Sequence, residues 1–214
     1  MSKYVIYDLE MCRVPKGPKK DEFGYYQELI QIGAVLMDES FNIIDSFMTY
    51  VAPRYGFVDS FIQKLTGITP ENVENAPSTE EALNAFLKWI PEDAVLVSWS
   101  ESDVNQLYHE IDGKHIDIPE LEWLLEDSID CQYDFEERIH ATRSYGLSDA
   151  LSITGIESEI GAHDALVDAK NTALLFAKLN LEPVLKMSEY YFSEEDMNNY
   201  MITSRLGLMP KYCH

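Results

Sequence analysis

Basic side chains are scarce in this sequence. Only 16 Lys and Arg stand against 38 Asp and Glu, a formal net charge of −22 at pH 7 over 214 residues. Such a chain repels phosphate on average and lacks the basic footprint of a tight, sequence-independent nucleic-acid binder. Two readings remain open: a protein with no polyanion partner, or one whose acidic excess is partly a cation site. Cysteine is nearly missing too. Cys12, Cys131 and Cys213 cannot all pair, and their spacing matches no zinc motif, which excludes a disulfide scaffold and points to a reducing, cytoplasmic setting. No apolar run approaches the roughly 20 residues of a membrane span. The start, MSKYVIYDLE, goes straight into a strand pattern and lacks the apolar core and cleavage site of a signal peptide. Internal repeats and low-complexity tracts are also missing.

What is present suits a folded globule, at 46% hydrophobic and 12% aromatic content in a length that fits one domain with an appendage. KYVIYDLE reads as a β-rich run. After a Gly/Pro/Lys loop, ELIQIGAVLMDES and NIIDSFMTYV form a hairpin. FVDSFIQKL is a short amphipathic helix stopped by Gly67 and Pro70, and Ser78-Thr79-Glu80-Glu81 is a capping box opening the helix ALNAFLKWI. AVLVSW (94–99) is an interior strand followed by a helix from Ser100, SIDCQ (128–132) is a weaker fifth strand, and YDFEERIHATR is helical. YGLSDALSITGI is a short helix ending at Gly155, and AHDALVDAKNTALLFAKLN is the clearest amphipathic helix of the chain. Leading strands followed by helix–strand alternation predict an α/β fold with a mixed five-stranded sheet, antiparallel at one edge and flanked by helices. The first domain is expected over 1–181. Residues 182–214, rich in Met, Tyr and Asn, read as a helical extension or tail that covers the domain or contacts a partner.

The stretch VIYDLEM raises the question of chemistry. Asp8 and Glu10 are two apart on a strand and share a face. Like charges roughly 4 Å apart repel by about 4 kcal/mol at an effective dielectric near 20, so protonation, a basic partner or a cation must offset them. Asp103 follows the strand AVLVSW at the opening of a helix, and Asp168 lies on the helix that begins near His163. In an α/β sheet, strand ends and the helix starts beside them converge on one edge. Four carboxylates gathered there call for divalent cations with oxygen ligands, Mg²⁺ or Mn²⁺ rather than Zn²⁺. Each residue also has a plain reading: Asp8 and Glu10 as solvated strand-end charges, Asp103 as the acidic partner of Ser100 in a capping box, His163 as a helix-start residue. Asp164 is assigned only to the helix N-terminus.

YDLE, SESD and HDALVDA, in that order, resemble the three motifs of the DEDDh 3′–5′ exonucleases, the DnaQ-like group of the ribonuclease H-like fold. The resemblance covers about residues 3–180. QELIQIGAVLMD and LTGIT (65–69) bring it near the Eri-1-like or KapD-like branch. It implies a metal-dependent exonuclease releasing 5′-mononucleotides from single-stranded 3′ ends, RNA favoured over DNA. By resemblance, Asp8 would bridge two metal ions, Glu10 and Asp168 would complete the first site, and Asp103 would hold the second through water. His163 would be the general base, a task suited to an imidazole at neutral pH. Leu9, Thr66, Gly67 and Ile68 become candidates for contact with the terminal nucleotide. Many relatives carry Asn before the second-motif Asp, whereas this chain has Ser98-Trp99-Ser100, and Trp99 is read as packing ahead of stacking on a base. Lys16, Lys19 and Lys20, in the loop after the Asp8/Glu10 strand, read as a solvated turn or as a counterweight to phosphate repulsion. His109, His115 and His140 read as surface residues. The rival functions are a proofreading-type DNA exonuclease and a non-catalytic interaction protein on the same fold. A protein partner or second copy would engage the C-terminal segment.

Overall fold

The computed structural model describes residues 3–188, apart from 160 and 162. Strand β1 (Lys3–Arg13) leads, followed by α1 (Pro18–Phe23), β2 (Gln27–Met37) and β3 (Ile43–Tyr50). Helices α2 (Ser60–Thr66), α3 (Pro70–Glu74) and α4 (Thr79–Trp89) precede β4 (Ala94–Ser98). Then come α5 (Glu101–Lys114), α6 (Pro119–Glu126), β5 (Ile129–Asp130), α7 (Cys131–Ile139), α8 (Leu147–Thr154) and α9 (Ala165–Leu181).

The five strands form one sheet in the order β3-β2-β1-β4-β5. The β1–β2 and β2–β3 pairs are antiparallel, and β1–β4 and β4–β5 are parallel, as the order of elements predicted. The β2–β3 hairpin turns on Asp38, whose carboxylate accepts the backbone N–H groups of Ser40 and Asn42. Side chains of β1 alternate between two cores. Val5, Tyr7 and Leu9 pack with α4, α5 and α6 residues such as Phe86, Leu107 and Leu121. Ile6 faces the other layer, with Phe135 of α7, Leu151 of α8 and Phe176 of α9. Because helices cover both faces, β2 is buried almost from end to end.

The structure departs from the sequence reading at α1, α3 and α6. Each begins on a proline (Pro18, Pro70 and Pro119), which reads locally as loop punctuation but also fits the first helical position, where no N–H is needed. The fifth strand is shorter than expected. The Asp130 carboxylate accepts the Tyr133 N–H and caps α7, which ends the strand after two residues. Beyond α9, the Ser188 N–H donates to the Ile153 carbonyl at 2.7 Å and Leu185 packs on the second core. The helix expected further on, and Cys213, lie outside the described residues. No helix among the described residues is long and apolar enough to cross a membrane.

A buried ionic group ties the sheet to the segment entering α2. The Lys114 ammonium lies 2.7 Å from both Glu28 and Glu110. Glu28 also accepts the backbone N–H groups of Arg54, Tyr55 and Gly56, and Glu110 accepts those of Leu29 and the Gln106 amide. Buried charges persist only with such complete hydrogen bonding.

Candidate active site

Along β1 the face that begins with Ile6 continues with Asp8 and Glu10, so a core-facing row turns into carboxylates. Across the antiparallel ladder, Asp8 pairs with Gly33 and Glu10 with Gln31. These two β2 residues dock α9. A Cβ on Gly33 would overlap the backbone of Ala165 and Leu166, so glycine lets the first turn of α9 lie directly on the sheet beside Asp8. The Gln31 amide then clamps that turn: its oxygen accepts the Ala165 N–H at 3.1 Å and its nitrogen donates to Asp164 at 3.2 Å. Asp164 caps α9 by accepting the N–H groups of Leu166 and Val167, the role assigned to it from the sequence.

This docking carries Asp168, one helical turn further on, to the carboxylates of β1. The His163 N–H donates to the Asp168 carboxylate at 2.8 Å, and His163 itself is exposed with φ of 67°. A left-handed backbone is uncommon for a residue with a side chain, although His is among the types that tolerate it. Ligand atoms of Glu10, His163 and Asp168 lie within 4.8 Å of one another. Asp103 arrives from the first turn of α5, which β4 delivers parallel to β1. Ser100, the cap of α5, is engaged with Ser102, so Asp103 is not held as its capping-box partner.

The electrostatics follow from crowding. Burial comes first, then Asp103, Glu10, Asp168 and Asp164, and together they push Asp8 well above the usual carboxylate range. Glu10 is pushed up to about 8 by burial and then by Asp168, Asp103 and Asp164. Burial raises Asp103 to about 7 despite hydrogen bonds from the backbone of Leu9 and its own backbone. Asp168 is raised by burial, with the His163 backbone opposing. None of the ion pairs among the described residues involves these four groups. The repulsion noted for Asp8 and Glu10 is therefore real and is not offset by Lys or Arg.

The nucleotide-contact candidates are placed differently. Ile68 is 2% exposed and packs with Cys12, Ile30, Val58 and Ile62, because Thr66 turns the chain inward by accepting the Ile68 N–H. Its side chain is core, not the apolar surface expected. Leu9 and Thr66 are buried as well, and Gly67 is exposed at φ of 73°. Trp99 packs against Phe135, as expected. His109 stacks on Tyr25 at 3.9 Å, so it is not a plain surface residue, and His115 and His140 terminate α5 and α7 in left-handed conformations. Sequence reasoning missed Gln31 and Gly33, although a polar residue and a glycine inside an apolar strand signal a special contact. Gly33→Ala is expected to cost about 1–3 kcal/mol, the range for overpacking, with a drop in melting temperature as the readout. Unchanged stability would mean that α9 does not press on the sheet there.

The RNase_T family, described as an exonuclease, matches residues 5–176. The ERI1 exoribonuclease 2 of Danio rerio is 30% identical over 177 residues, covering 72% of this chain and 31% of that protein. The DNA polymerase III subunit epsilon of Aquifex aeolicus is 30% identical over 170 residues, covering 77% of this chain and 78% of its own length. This chain thus spans about a third of the zebrafish relative but most of the bacterial one. Among solved structures, the nuclease domain of 3′hExo, a DEDDh family member bound to rAMP, superposes with a TM-score of 0.71 at 20% identity, covering 87% of this chain and 96% of that one. E. coli exonuclease I in complex with a dT13 oligonucleotide gives 0.61 at 18% identity, over 96% and 44%. At such identities the superpositions show a shared ribonuclease H-like fold. A family match that runs from the first carboxylate strand into α9 means that this chain belongs to the RNase_T exonuclease family, with the fold of the DEDDh nuclease domain it superposes on.

Proposed function

We propose that the protein is a divalent-metal-dependent 3′–5′ exonuclease that trims single-stranded ends, RNA ahead of DNA, and releases 5′-mononucleotides. The observation that carries this reading is the crowding of Asp8, Glu10, Asp103 and Asp168 beside His163, with no Lys or Arg ion-paired to them among the described residues. Four carboxylates offer only oxygen donors, the set that suits Mg²⁺ or Mn²⁺. Asp8, Glu10 and Asp168 would hold one ion, and Asp8 with Asp103 a second. Once bound, the pair would supply charge stabilisation for both the attacking and the leaving oxygen. The rest is the work of the chain. His163 takes a proton from water as its oxygen attacks the phosphorus. The bond to the upstream O3′ then breaks and O3′ takes a proton from solvent, which leaves a new 3′-hydroxyl on the strand and the phosphate on the freed nucleotide.

The exoribonuclease name of the zebrafish relative supports RNA. The equal identity of the Aquifex DNA polymerase subunit keeps DNA as the second reading. The exonuclease domain would span 1–181, with 182–214 as an extension for a protein partner or a second copy. The buried free thiols Cys12 and Cys131 suit a reducing, cytoplasmic compartment. The test compares matched single-stranded RNA and DNA, labelled at the 5′ end, in Mn²⁺ or Mg²⁺. We expect a descending ladder and 5′-mononucleotides, with RNA cleaved faster, and no cleavage in EDTA. Full activity in EDTA would overturn the metal requirement, and faster cleavage of DNA would reverse the substrate order.

A further inference from the structure

A chain of net charge −22 must still hold a polyanion if it shortens one. Its scarce cations are not spread evenly. Arg13, Lys16, Lys19 and Lys20 fall within eight positions, and none of them takes part in the ion pairs seen among the described residues. Arg13 ends β1, three residues past Glu10 and so about 10 Å further along the same strand. It lies between two chain segments. On one side it pairs with Gln27, beside Tyr26, whose carbonyl accepts the Val14 N–H; on the other it bridges to Phe57.

Aromatic rings at this place are turned to solvent rather than into the core. Tyr26 is 61%, Phe57 56% and Phe61 53% exposed. Cations border two of them: the Arg13 guanidinium is 4.7 Å from the Phe61 ring centre and the Lys20 ammonium 4.5 Å from that of Tyr26. Phe61 and Leu65 share the exposed face of α2, one turn apart, and α2 ends at Thr66, capped by the exposed Gly67. Of the segments that carry the patch, β1 leads straight back to the carboxylates Asp8 and Glu10. The segment between them is held firmly by the Glu28 hydrogen bonds to residues 54–56 and by the Phe23–Tyr55 stack.

Flat rings that accept a base of any identity, edged by cations that meet the phosphates, are what an unpaired strand needs. We propose that Arg13, Lys20, Tyr26, Phe57 and Phe61 form a track for the single-stranded nucleotides just upstream of the 3′-terminal one, an inference that rests on the exonuclease reading. The track confines attraction for phosphate to one path and leaves the rest of the acidic surface repulsive. It also makes grip depend on strand length.

Two double variants test it, Arg13→Gln with Lys20→Gln and Tyr26→Ser with Phe61→Ser. Each is measured in Mn²⁺ on a single-stranded 12-mer and on the p-nitrophenyl ester of thymidine 5′-monophosphate, which reaches no further than the reaction centre. Binding of the 12-mer is followed in parallel by fluorescence anisotropy in Ca²⁺. We expect Kd and KM for the 12-mer to rise at least tenfold in both variants while hydrolysis of the ester stays within twofold. The charge variant should also lower the dependence of log K on log salt by about 1.4, at roughly 0.7 per lost contact to a single strand. Wild-type affinity for the 12-mer in both variants would overturn the track. Failure of the wild-type protein to cleave either substrate would overturn the exonuclease reading instead.

Discussion

His163→Ala should lower kcat by about 10²- to 10⁴-fold, the usual weight of a positioned general base, with KM little changed. The structure allows a second role for this residue, because a ring nitrogen lies within 4.8 Å of carboxylate oxygens of both Glu10 and Asp168 and so within reach of a shared ion. The two roles separate cleanly. If the imidazole takes the proton, calorimetric Mn²⁺ affinity stays within a few-fold of wild type and added Mn²⁺ does not rescue turnover. If it is a ligand, affinity falls and high Mn²⁺ restores much of the rate. Backbone conformation is controlled by His163→Asn. Asparagine accepts the left-handed φ of 67° but offers no ring nitrogen for the proton. We expect Asn and Ala to be equally inactive. Wild-type turnover in His163→Asn would remove the residue from the role of base.

The parts of this site that were legible in the sequence are those fixed by local periodicity. Strand parity puts Asp8 and Glu10 on one face, and the structure keeps that parity. The sheet followed from its leading hairpin and the parallel crossover to β4. What could not be read is set by contacts between distant segments. Nothing near Gln31 announces that it meets Asp164 and Ala165, more than 130 positions away. The inward turn of Ile68 depends on the Thr66 hydroxyl and on a pocket built from β1, β2 and α3. Local signals also misled: Pro18, Pro70 and Pro119 look like breaks when each residue is weighed alone, yet each opens a helix. The exposed rings of Tyr26, Phe57 and Phe61 come from two stretches of chain, one at 26 and one at 57–61, so the closeness of Phe57 and Phe61 to Arg13 appears only in the fold.

Without divalent cations the protein should lose stability as pH rises from about 5 to 8, and Mn²⁺ should restore it. The sign follows from the direction of the shifts. Glu10 has an ordinary value of 4.5 and is held near 8 in the fold, so the folded chain binds this proton more tightly than the unfolded one. Stability is therefore greatest below the unfolded value and declines through the window up to about 8. Asp103, moved from 3.8 to about 7, acts in the same direction. For Glu10 alone, moved from 4.5 to about 8, the full effect is of the order of 5 kcal/mol at about 1.4 kcal/mol for each tenfold change in proton affinity. The effects of Asp8, Glu10 and Asp103 do not add, because the groups titrate together. Cation binding needs the deprotonated carboxylates, so the rise in melting temperature with Mn²⁺ should be larger at pH 8 than at pH 5. Glu10→Gln removes one of the crowded charges. It should flatten the metal-free profile, raise stability at pH 8 and shrink the response to Mn²⁺. The exposed Glu137→Gln likewise removes one carboxylate and serves as the control, because general repulsion in so acidic a chain also grows with pH. If both substitutions change the profile alike, the instability belongs to the whole charge of the chain. A selective effect of Glu10→Gln assigns it to carboxylates gathered at the edge of the sheet, where folding builds a charge cluster that a bound cation then relieves.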